Sequence, residues 1–316
     1  MNKSASYRKK DDSLSTNKLY IQGDTVKLEF LHYWVIEPIE TSLASLDVEN
    51  FSVLKGQDVI AGSSLLGEEG KVFFEFLQMN HGLYDNSLWI FMNTPFTSQN
   101  DSFHYSECFR LVGEALFHFK VSSPGLIVRN SATGDITTKQ PPNINKRTES
   151  CLIENVSEQD LKRLIRLTTA LQDLEHDQQQ YYKSIFDYLR DIRNSPLFVA
   201  ELALWSFIEH HWAPCENGKS DIRKSLKFLL EFVLADRKER SDFNKLVNSV
   251  GSELGSSYNE HLLRNILAHG KHFTLKEKWS NENWANFYKV HEQLLELVTR
   301  GIEKQVHFCL AHEYNR

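Results

Sequence analysis

The spacing of apolar and polar positions changes character once along the chain. From Leu19 to about Asn130, short runs rich in β-branched and aromatic residues recur: Val26 to Phe30, Tyr33 to Ile36, Val72 to Leu77, Leu88 to Met92 and Phe117 to Val121. Their length is that of strands. Between them lie Gly56-Gln57-Asp58, Gly67-Glu68-Glu69-Gly70 and Tyr84-Asp85-Asn86, residue types that tolerate turn geometry. This pattern predicts a β-rich recognition or sensor domain over 19–130, with room for a helix or two.

The following segment, 131–150, reads SATGDITTKQPPNINKRTES. Pro141-Pro142 blocks regular hydrogen bonding there and few residues are suited to a core, so the segment is expected to be a linker. Beyond it the spacing is helical almost without interruption. Ser157-Glu158-Gln159-Asp160 is a cap signature ahead of Leu161, Leu164, Ile165, Leu167 and Leu171. Ser195 is read as the cap, and Pro196 as the first turn, of the apolar helix LFVAELALWSFIEHHW, which exits at Ala213-Pro214. Further helices are predicted at about Asp221 to Ala235, Arg240 to Leu254, Tyr258 to Ala268 and Asn283 to Cys309. The expected fold is therefore α+β: a β-rich N-terminal domain followed by an all-α helical-bundle domain over 151–316, with 1–18 as a flexible leader.

Composition narrows the function classes. The chain has 316 residues, 41% hydrophobic and 25% charged, an ordinary globular balance with length for two compact units. A net charge of -6 argues against a chain held to nucleic acid by bulk positive charge, so any such contact must be local. Four cysteines (Cys108, Cys151, Cys215, Cys309) lie far apart, with no Cys-x-x-Cys pair. That spacing suits reduced thiols and a cytoplasmic location better than a zinc site or a disulfide framework. The basic N-terminal stretch has no apolar run behind it, and no stretch of membrane-spanning length is continuously apolar. Neither a signal peptide nor a membrane partner is expected.

One segment combines order with chemistry: Tyr258-Asn259-Glu260-His261-Leu262-Leu263-Arg264-Asn265-Ile266-Leu267-Ala268-His269-Gly270. As ordinary structure it is a well-capped core helix. Leu262, Leu263, Ile266 and Leu267 form an apolar stripe, Gly270 follows the helix end, and the dipole favours His269 in the last turn. An Arg and a His a few residues apart are a weak signal alone, and Arg300 with His307 fits the loosest spacing on what reads as a solvated face.

The fuller string Leu-Arg-Asn-Ile-Leu-Ala-His-Gly, near the end of an all-helical region, resembles the HEPN superfamily and within it most closely the Apea-like branch. The resemblance covers roughly 155–310, and its sharp part is Arg264 to Gly270. It implies a metal-independent endoribonuclease without cofactors, acting on RNA as a homodimer through the helical domain, often in toxins or antiviral defence proteins. Arg264, Asn265 and His269 take the motif positions. The alternative is a non-catalytic HEPN-like module that binds RNA or a protein, with Arg264 and His269 serving structure.

Residue chemistry agrees with the implied activity. RNA carries its own nucleophile, the 2′-OH, so cleavage requires little beyond proton transfer and positive charge on the scissile phosphate. His269 exchanges protons near neutral pH, the planar fork of Arg264 bridges two phosphate oxygens, and Asn265 orients one of them. On one helix Asn265 and His269 are about 40° apart in rotation, whereas Arg264 and His269 are about 140° apart. That mismatch favours a site completed by two chains.

Lys219, Arg223 and Lys227 share one helix face and are the best candidates for an RNA-backbone track. Weaker candidates divide simply. Gly62-Ser63-Ser64-Leu65-Leu66-Gly67 continues into Glu68-Glu69 and is a turn rather than a phosphate loop. His291-Glu292-Gln293-Leu294-Leu295 lacks the second His of a zinc-protease helix, and Glu209-His210-His211 is expected to pack at a helix end rather than hold a metal.

Overall fold

The computed structural model describes residues 27–36, 43, 45–59, 71–77, 87–142, 156–212, 222–254, 267 and 280–313. The fold is α+β. Among the described residues six antiparallel strands form one sheet: β1 (Leu28–Ile36), β2 (Leu46–Val48), β3 (Phe51–Lys55), β4 (Leu88–Met92), β5 (Gly125–Asn130) and β6 (Ile136–Gln140), in the order β2-β3-β4-β1-β5-β6. Helix α1 (Gln99–Leu116) lies between β4 and β5 in the chain. Among the described residues the helical half comprises α2 (Glu158–Gln172), α3 (His176–Arg193), α4 (Leu197–His211), α5 (Ile222–Val233), α6 (Arg237–Leu254) and α7 (Asn281–Glu313).

β1 organises the sheet. It sits between β4 and β5 and is buried from Leu31 to Ile36 on both faces. Alternation divides its side chains: Trp34 and Ile36 join the main core with Val53, Leu88, Ile90 and Phe109, while Leu31, Tyr33 and Val35 join a smaller cluster with Trp89, Phe91 and Ile127. The separate runs Val26 to Phe30 and Tyr33 to Ile36 of the sequence thus fall, where they are described, on the one strand Leu28–Ile36, and Val26 lies outside the described residues. Tyr33 lies directly over Gly125 on the neighbouring strand: a Cβ there would fall 2.1 Å from the ring carbon Cζ. Only glycine leaves room for that ring, whose hydroxyl donates to Gln140 O at 3.1 Å.

Several local expectations are corrected. Val72 to Leu77, read as a strand, lies in a helical segment, 71–77. Phe74 and Leu77, three apart, are buried against the second sheet face, while Val72 and Phe76 are exposed. A strand would also have offered an apolar face, Val72, Phe74 and Phe76, so the local pattern does not decide; the helix is the form that brings Phe74 and Leu77 together against the sheet. Phe117 to Val121 forms no strand; Val121 makes one isolated bridge to Ile36. Ile136–Gln140, inside the segment read as a linker, is edge strand β6, and Pro141-Pro142 follows directly where pairing stops. β2, β3 and β5 lie outside the strand runs picked from the sequence.

In the helical half the boundaries lie close to expectation. Ser157 caps α2, accepting from Asp160 N at 3.0 Å. At α4 the cap is Pro196, one residue later than read, because Ser195 Oγ donates back to Asp191 O and closes α3 instead.

The two halves share one hydrophobic core, which runs from the sheet through α1 into α2, α3, α4, α5, α6 and α7. Polar links reinforce the join. The last carbonyls of α1 are taken by the helical half: Arg193 donates to Ala115 O (2.5 Å) and Leu116 O (2.8 Å), and Thr299 donates to Leu116 O (3.3 Å). Burial pushes the Arg193 guanidinium down to about 10, still a cation at neutral pH and suited to a helix C-terminus. Arg163 lies over the Phe117 ring and bonds Glu303, with Asp160 and Glu296 nearby. Among the described residues no helix is long and apolar enough to cross a membrane.

Candidate functional site

Of the motif segment, Leu267 is the described residue. It is helical, 3% exposed and part of the main core. Arg264, Asn265, His269 and Lys219 lie outside the described residues, as does the Gly62 to Gly67 turn.

Arg223 and Lys227 are on α5. The helix buries Ile222, Ser225, Leu226, Leu229, Leu230 and Val233, a full amphipathic stripe that fixes which side meets the bundle. Ser225 Oγ donates to Glu209 O at 3.2 Å and ties α5 to α4. Arg223, Lys224, Lys227, Phe228 and Glu231 consequently face outward. Lys227 Nζ is 3.9 Å from Glu231 and both are well exposed, a weak pairing.

Among the described residues one acidic side chain is fully buried, and sequence reading missed it. Glu201, 0% exposed in the middle of the apolar helix α4, accepts from the Trp205 indole N–H (2.9 Å) through one oxygen. His291 Nδ1 of α7 lies 2.6 Å from the other. A carboxylate there is tolerable only because each oxygen has its own donor. The available signal was an acid inside LFVAELALW, which implies a buried partner. His291, set aside as an incomplete zinc motif, is that partner, and it locks α4 to α7.

Glu209-His210-His211 serves the end of α4. His210 Nδ1 bonds Ser206 O at 2.7 Å. His211 donates through Nε2 to Gln305 Oε1 (2.7 Å) and accepts at Nδ1 from the Tyr181 hydroxyl (3.2 Å), with its ring stacked on Phe207. Both nitrogens are thereby committed, and burial lowers the His211 pKa. Among the described residues no group of three His, Cys, Asp or Glu is placed to hold a metal ion. Cys108 and Cys309 are free thiols, and burial pushes Cys108 up to about 12, which leaves it a poor nucleophile.

Comparison of the chain with family models, with curated proteins and with solved structures finds no match.

Proposed function

We propose that this chain is a metal-independent endoribonuclease of the HEPN type, working in the cytoplasm as a homodimer, in a toxin or antiviral defence setting. Arg264 holds the scissile phosphate, Asn265 orients one of its oxygens and His269 transfers a proton. The 2′-OH of the substrate attacks the adjacent phosphorus, its proton is taken up, and the 5′-oxygen leaves after receiving one. The products are a 2′,3′-cyclic phosphate and a 5′-OH end.

The observation that supports this reading is Leu267. It stands in sequence between Arg264 and His269 and is packed in the core of the helical half, as the apolar stripe of the motif segment leads one to expect.

The test is incubation of the purified chain with total RNA in EDTA, comparing wild type with His269→Ala. The wild type is expected to cleave and the variant to lose activity, while a substrate with 2′-deoxy at the scissile nucleotide resists. Cleavage of that substrate at the wild-type rate would falsify the mechanism. Mixing Arg264→Ala chains with His269→Ala chains restores part of the activity if each site draws on both subunits.

A further inference from the structure

The outward arc of α5 carries three cations and one large apolar ring. At the helical rotation per residue, Arg223, Lys224, Lys227, Phe228 and Glu231 span about 140°, with Arg223 at one edge and Phe228 at the other. Arg223 and Lys227 are one turn apart, or roughly 6 Å along the axis. Phe228 is 51% exposed. Its ring runs parallel to that of Phe232, 3° apart in plane with centroids separated by 6.3 Å, and Lys304 Nζ from α7 lies 5.9 Å from the Phe232 centroid.

The carbonyl end of α5 is closed by cations. Lys304 Nζ donates to Phe232 O (3.0 Å) and Val233 O (3.2 Å), and Arg240 Nη1 donates to Leu234 O (2.5 Å) and Ala235 O (3.0 Å). An uncapped helix C-terminus repels anions, and here two positive side chains occupy it. On its outward arc α5 itself carries Arg223, Lys224 and Lys227 against one acid, Glu231.

One exposed phenylalanine is ordinary on a protein surface. What is not ordinary is a ring set parallel to a second ring, at the edge of a cationic strip, in a chain whose net charge is negative. We infer that this face of α5 binds single-stranded RNA, with Arg223, Lys224 and Lys227 on successive phosphates and one base stacked on Phe228. The strip selects a polyanion, and the flat ring selects a partner with free planar faces, which single strands present and duplexes hide. A second copy of the chain fits poorly, because a two-fold contact would bring the same three cations of both copies together. The choice of RNA over DNA rests on the ribonuclease reading; the rest stands on α5 itself.

The test uses the full chain and a fluorescent 2′-O-methyl oligouridylate of about 12 nucleotides, which lacks the 2′ nucleophile and is not cut. Binding is read by anisotropy across a salt series. Phe228→Ala should weaken binding about tenfold at fixed salt and leave the salt slope unchanged. Phe228→Tyr should restore it. Replacing Arg223, Lys224 and Lys227 together by serine should lower the slope by about two. A duplex of the same length should bind at least about tenfold more weakly, and an oligothymidylate shows whether the 2′-oxygen matters.

The inference is overturned if Phe228→Ala binds like wild type, if the duplex binds as well as the single strand, or if Phe228→Ala changes the sedimenting mass, which would make the face an interface between copies. Cleavage by the wild type with no effect of these variants on binding sinks this site and leaves the ribonuclease reading standing. Binding as described without cleavage of natural RNA does the reverse.

Discussion

The sheet half and the helical half each bury a titratable side chain near their centre, and they treat it in opposite ways. Glu201 in α4 is fully enclosed, with one donor on each carboxylate oxygen. His32 in β1 is 5% exposed, yet neither ring nitrogen makes a hydrogen bond of good geometry. Burial lowers its pKa to about 4, which the Gly125 backbone and the Glu107 carboxylate of α1 offset only in part. A helix offers neighbours at i+4 and on adjacent helices, so an acid there finds a Trp and a His. The central strand of a sheet has spent its backbone groups on the ladder, and its side chains meet whatever rings flank them. Glu201 is thus satisfied within the helical half, although Gln178 Oε1 and Trp212 Nε1 there are buried without a hydrogen bond, while His32 in the sheet half is left neutral and without a well-formed one.

The largest test of that contrast is to remove the satisfied group. Glu201→Ala leaves the indole N–H and His291 without an acceptor inside the core, and should cost roughly 3–5 kcal/mol. Urea unfolding measures it, and a loss below about 1 kcal/mol would show that the pair is not what joins α4 to α7.

The second test titrates the unsatisfied group. The folded-state value of His32 lies below its ordinary 6.5, so the unfolded chain takes up a proton that the folded chain refuses. The neutral imidazole's contribution is intact above about pH 6.5 and is lost as pH falls toward 4, by roughly 3 kcal/mol in total. His32→Leu should remove that share of the slope of stability against pH over this window. An unchanged slope would place the acid sensitivity elsewhere.

A third, smaller effect probes the sheet's packing. Gly125→Ala forces the Tyr33 ring aside and strains its contact with Gln140 O, at a cost of about 1–3 kcal/mol. Thermal unfolding followed by near-UV dichroism should report both the lower midpoint and the disturbed aromatic cluster. The smallest effect belongs to the helical surface. Lys162 and Glu158 pair one turn apart on α2 with both side chains well exposed, and Lys162→Ala should shift stability by no more than about 0.5 kcal/mol. A larger loss would mean that α2 depends on its surface charges rather than on its buried face.

Legibility differed between the halves for the same physical reason. α2, α5, α6 and α7 were readable because each repeats its apolar stripe over several turns, so an error at one position is outvoted by the rest. Arg223 and Lys227 were placed on a solvent-facing strip by that rule alone, whereas Phe228 and Lys304 became part of the same face only once α5 and α7 were set side by side. In the sheet half the runs are short. KVFFEFL satisfies both a strand and a helix pattern, and the second sheet face, offering a slot for Phe74 and Leu77, settled it. Glu201 could be flagged as anomalous from its apolar neighbours, but its partner lies ninety residues away on α7.

The sequence by itself determined the α+β class, the position of the change from strand-length runs to helical periodicity, and the inward faces of the long helices, because these follow from local spacing repeated many times. Only the tertiary structure decided that 71–77 is helical, that Ile136–Gln140 closes the sheet, that Tyr33 needs a glycine opposite, and that one core runs through both halves. Each of these depends on contacts between residues far apart in the chain, where the energy of burial exceeds the small local preference that a few residues can express.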